Sequence, residues 1–64
     1  MWTVVYVTQK VQEVIKIKTA LGNNGVILRV RENSGSDSGV GSFEILVPAA
    51  ELSIAQNLII DAEI

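Results

Sequence analysis

The sequence predicts a small α+β domain in which three strands and two helices follow one another in the order β-α-β-β-α. Two segments place apolar residues at helical spacing, three are rich in β-branched residues, and capping, turn or proline residues fall between them. The chain has 64 residues, enough for one domain, residues 1–64.

Residues Trp2 to Val7 form the first expected strand. Val4, Val5 and Val7 are β-branched, Trp2 and Tyr6 are aromatic, and only Thr3 is polar. A first helix follows, with Thr8 as its expected N-cap. Val11, Val14, Ile15 and Leu21 mark its apolar face, with Lys18 on the same side and Ile17 near the edge of the stripe. The helix is expected to stop within "GNNG", with Gly25 as the left-handed residue and Gly22 as the alternative stop.

Val26 to Arg31 is the second strand. Val26, Leu28 and Val30 share one face; Ile27, Arg29 and Arg31 share the other. The polar segment Glu32 to Gly41 joins it to a third strand, Ser42 to Val47. Phe43, Ile45 and Val47 lie on one side of that strand, opposite Ser42, Glu44 and Leu46. Pro48 has no N–H to donate and ends the ladder. A second helix runs from Ala49 to about Ala62, with Leu52, Ala55, Leu58, Ile59 and Ala62 buried and Ile54 and Ile60 off the stripe.

This order matches a ferredoxin-like βαββα arrangement. Its expected form is a three-stranded mixed sheet, order 1-3-2, with strands one and three parallel and both helices on one face. Strand one is then an apolar edge, a pairing site for another chain.

Composition removes several chemistries. The chain has no Cys and no His, hence no disulfide, no thiolate metal site and no imidazole base. The net charge is −2, which argues against nucleic acid. The apolar start is too short to span a membrane and lacks the basic region of a signal peptide. The expectation is a cytoplasmic protein without cofactor. A chain this small has a marginal core, and its high apolar content makes association a second source of stability.

"MWTVVY" at Met1 to Tyr6, the Gly25…Arg31 spacing and "EILVPxxE" at Glu44 to Glu51 together resemble a family of short prokaryotic proteins described as signal-transducing. That family has a βαββα fold and is compared with the PII-type signalling proteins. The resemblance covers nearly the whole chain. It implies a role in signal transduction and supplies no catalytic residue.

Three groups of residues are candidates for function. Trp2, Val4 and Tyr6 are expected to point away from the helices, with Val5 and Val7 pointing toward them. Ile27 and Leu46 extend this apolar surface, while Arg29, Arg31 and Glu44 line its rim, with Glu44 expected to pair across strands with an arginine. A sheet face this apolar favours burial against a second subunit, most simply in a homodimer. Gly35 and Gly39, in the 32–41 loop, are able to turn backbone N–H groups toward an anion, although the segment has no Walker-type lysine and joins strand to strand. The carboxylates of Glu32, Asp37, Asp61 and Glu63 are expected to be solvated charge. The leading expectation is a non-enzymatic regulatory or protein-interaction module that self-associates and meets a regulatory partner. The alternative is a domain that holds an anionic metabolite between the 32–41 loop and the arginines.

Overall fold

A computed structural model describes residues 1–34 and 41–64. The elements are β1 (Trp2–Thr8), α1 (Val11–Asn23), β2 (Arg29–Ser34), β3 (Gly41–Pro48), a 3-10 turn (Ala49–Glu51) and α2 (Leu52–Asp61). The β-α-β-β-α order is as expected. β2 begins three residues later than the sequence pattern suggests. Val26 is buried and Leu28 half-buried before the ladder starts.

The sheet has the order β1-β3-β2. β3 is antiparallel to both neighbours, so the sheet is antiparallel throughout and not mixed. The expected parallel pairing of β1 with β3 is corrected by the hairpin. α1 returns the chain so that β2 runs in the direction of β1, and the hairpin reverses it before β3 is inserted between them. β1 and β2 are therefore the two edges. β1 carries no charged residue, whereas β2 carries Arg29, Arg31 and Glu32.

In α1 the buried residues are Val14, Ile17 and Leu21. Ile17 is 0% exposed and Ile15 is 57% exposed, the reverse of the expected ranking. At 3.6 residues per turn, Val14, Ile17 and Leu21 fall within about 60° of arc, and Val11 and Ile15 lie off that arc. Thr8 is not the N-cap; Lys10 holds that position without a side-chain cap. The Thr8 hydroxyl instead accepts the Lys10 N–H at 3.1 Å and donates to Glu13 Oε1. The helix stops where expected. Gly25 has φ +75°, its N–H donates to the Gly22 carbonyl, and the Val26 N–H donates to the Leu21 carbonyl at 2.9 Å. This is a Schellman motif, with Leu21 and Val26 closing it in the core.

β1 contains a β-bulge. Val4 pairs with Leu46 and Tyr6 with Ile45, leaving Val5 as an extra residue. Alternation is interrupted there. Thr3, Tyr6 and Thr8 lie opposite Val47, Ile45 and Phe43 on the helix side, and Val5 packs with Tyr6 against the core. Trp2, Val4 and Val7 lie on the open side. Tyr6 is thus not an open-face residue, and Val7, 55% exposed, replaces it.

After Pro48, the Ala49 N–H donates to the Met1 carbonyl at 2.8 Å, beyond the last paired residues. The expected second helix starts as a 3-10 turn and becomes α-helical at Leu52. Ala55 and Ile59 are buried and Leu52 and Leu58 half-buried, while Ala62 is exposed because the helix ends at Asp61. Ile54 and Ile60 lie off the stripe as expected. The core joins Ile17, Leu21 and Val26 to Ile45, Val47, Ala55 and Ile59. Burying these side chains supplies the main stabilisation, about 1.5–3 kcal/mol for each large one.

Candidate interaction surfaces

The open face of the sheet follows from the pairing. β3 contributes Ser42, Glu44 and Leu46 along its middle. Leu46 lies between Val4 and Arg29, and Glu44 between Val7 and Arg31. Trp2 and Arg29, on opposite edge strands, meet over β3, with the guanidinium carbon 4.4 Å from the centre of the ring. Arg31 Nη2 lies 2.6 Å from Glu44 Oε1. This is the cross-strand ion pair that the sequence predicts, and its exposure makes it a modest contribution, below about 1 kcal/mol. Ile27 precedes β2 and is largely exposed. Of the expected interface residues, Trp2, Val4 and Leu46 share this face, and Tyr6 does not. Gly35 and Gly39 lie outside the described residues; Glu32, Asn33, Ser34 and Gly41, expected in the loop, are instead paired in β2 and β3, where the ladder extends past Arg31.

The second surface is at the free edge of β1. Val5 and Tyr6, brought to the same side by the bulge, form one wall of a groove of about 390 Å³. Gln56, Asn57, Ile59 and Ile60 of α2 and Ile64 form the rest. None of these side chains is charged. Ile60 is 71% exposed. The groove thus lies between the edge strand β1 and α2. The sequence pattern missed it because strict alternation places Tyr6 on the other side. The one available signal is the unbroken run Val4-Val5-Tyr6-Val7, too apolar for a strand with one wet face.

Behind the groove, Tyr6, Thr8 and Glu13 form a polar cluster. The Tyr6 hydroxyl and the Thr8 hydroxyl both donate to Glu13 Oε1. Burial pushes the Tyr6 phenol above its ordinary pKa, and the negative charge and hydrogen bond of Glu13 add to the rise. Glu13 is in the first turn of α1, where the helix dipole favours an acid. The cluster has no nucleophile–base pair and fixes β1 to α1.

Among the described residues, no group of three metal-ligating side chains converges, and no helix is long and apolar enough to cross a membrane. No family model, curated protein or solved structure matches the chain.

Proposed function

We propose that the chain is a non-enzymatic interaction module that self-associates in order to work, with a regulatory role of the kind the likeness to signal-transducing proteins implies. One observation carries the reading. Among the described residues the sheet is covered by helices on one side only, and its other side presents Trp2, Val4 and Val7 of the uncharged edge strand together with Leu46. A chain with so small a core gains stability by covering such a surface.

The reading in which an anionic metabolite is held by the arginines has less support. Arg31 is paired with Glu44, and Arg29 is stacked on Trp2, so a ligand would have to displace both contacts.

Light scattering at high micromolar concentration tests the proposal. A dimer mass is expected for the wild type, and Val4→Lys is expected to shift it toward monomer, because the lysine places an unpaired charge in the interface. A wild-type monomer, with Trp2 fluorescence of a fully hydrated indole, overturns it.

A further inference from the structure

The geometry points to a specific mode of self-association, and it rests on the reading just given: β1 pairs antiparallel with β1 of a second copy about a two-fold axis between Val5 and Tyr6. The two sheets become one six-stranded sheet. The bulge carries the argument. From Thr3 to Thr8 the residues lie on the helix, open, helix, helix, open and helix sides in turn. That series is the same in both directions. A strictly alternating strand matches faces only about an axis through a residue; the bulge at Val5 moves the matching axis to between Val5 and Tyr6 and so fixes the register.

Antiparallel pairing about that axis sets Thr3 against Thr8, Val4 against Val7, and Val5 against Tyr6 of the other copy. Every pair has matched faces, and no pair contains a charge. The last point bears on the identity of the partner. A two-fold axis doubles every charge placed on the seam and gathers the copies of one net-negative chain, so an uncharged seam suits a second copy. Here the net −2 chain keeps its charges off β1 and off every side chain lining the groove.

The helix layer also fits. α2 packs against β1 and β3, as α1 does, and its Gln56, Asn57, Ile59 and Ile60 face Val5 and Tyr6 of the edge strand across the groove. A two-fold axis at that edge, with faces matched, sets the two copies of α2 on the same side of the joined sheet, one on each side of the seam. The two grooves then face one another, and the exposed Ile60 is covered. A stable dimer needs about 800 Å² from each partner, roughly a fifth of the 4329 Å² surface. Strand pairing and the α2 flank contribute to it together.

The absence of native cysteine makes the register readable. Val4→Cys and Val7→Cys, both at exposed positions, are prepared separately, one carrying a mass tag, then mixed and oxidised mildly. Directly opposed residues have Cβ atoms about 5 Å apart, close enough for a disulfide after small adjustment. Val4 against Val4 is about 10 Å out of register. The expected product is the mixed disulfide, in large excess over either homodimeric one. In the wild type, outward amides of β1 are expected to exchange more slowly as concentration rises through the association range. A dimer by light scattering without the mixed disulfide, or with unchanged β1 exchange, overturns this geometry and leaves self-association standing. A monomer overturns both.

Discussion

The Tyr6 hydroxyl donates to Glu13 Oε1 at 3.4 Å, joining the bulged part of β1 to the first turn of α1. Tyr6 is the only tyrosine, so phenolate absorbance reports this side chain alone. Its midpoint is expected above the ordinary 10.0. Because the folded value is the higher, the stability linked to Tyr6 is complete below pH about 10 and is lost as pH rises through the folded midpoint. Glu13→Gln is expected to lower the midpoint without restoring the ordinary value, since desolvation is the largest cause and remains. A Glu13→Gln midpoint equal to that of the wild type contradicts the contact, and a wild-type midpoint at or below 10.0 contradicts the burial as well.

The two isoleucines of α1 separate in a stability measurement. Ile17→Ala is expected to cost about 2–5 kcal/mol by urea unfolding, the range for an emptied core site. Ile15→Ala, on the exposed side, is expected to stay within about 0.5 kcal/mol. Equal losses would place the buried face of α1 elsewhere.

Gly25→Ala tests the end of the same helix. No atom lies within 4 Å of the added Cβ, so the cost is confined to the left-handed backbone. About 1 kcal/mol is expected, and Gly22→Ala, at an unstrained helical position, is expected to be neutral or stabilising. A neutral Gly25→Ala would show that the Schellman turn does not form.

Much of this was legible in the residues, and the exceptions have physical causes. Element order, the stop at Gly25, the Arg31–Glu44 pair and the inward set Phe43, Ile45 and Val47 all follow from local chemistry and strand periodicity. The β1–β3 direction is not local; it follows from where the hairpin inserts its second strand. The side taken by Tyr6 depends on one unpaired residue, Val5, which period-two counting passes over. Ile17 is central because helical arc, and not the tally of apolar residues, decides which side meets the sheet. The groove needed all of these at once. It exists only when Tyr6 has turned inward and α2 lies alongside.

The charges on β2 bear on how large the proposed assembly would grow. Once two copies join through β1, the edges left at the two ends are both β2, with Arg29, Arg31 and Glu32 along them. Charged edge strands resist further strand addition. In the proposed dimer, growth by sheet extension would therefore stop at two copies, a closed particle and not a ribbon. One bare edge and one guarded edge on the same small sheet would suit a chain that pairs once.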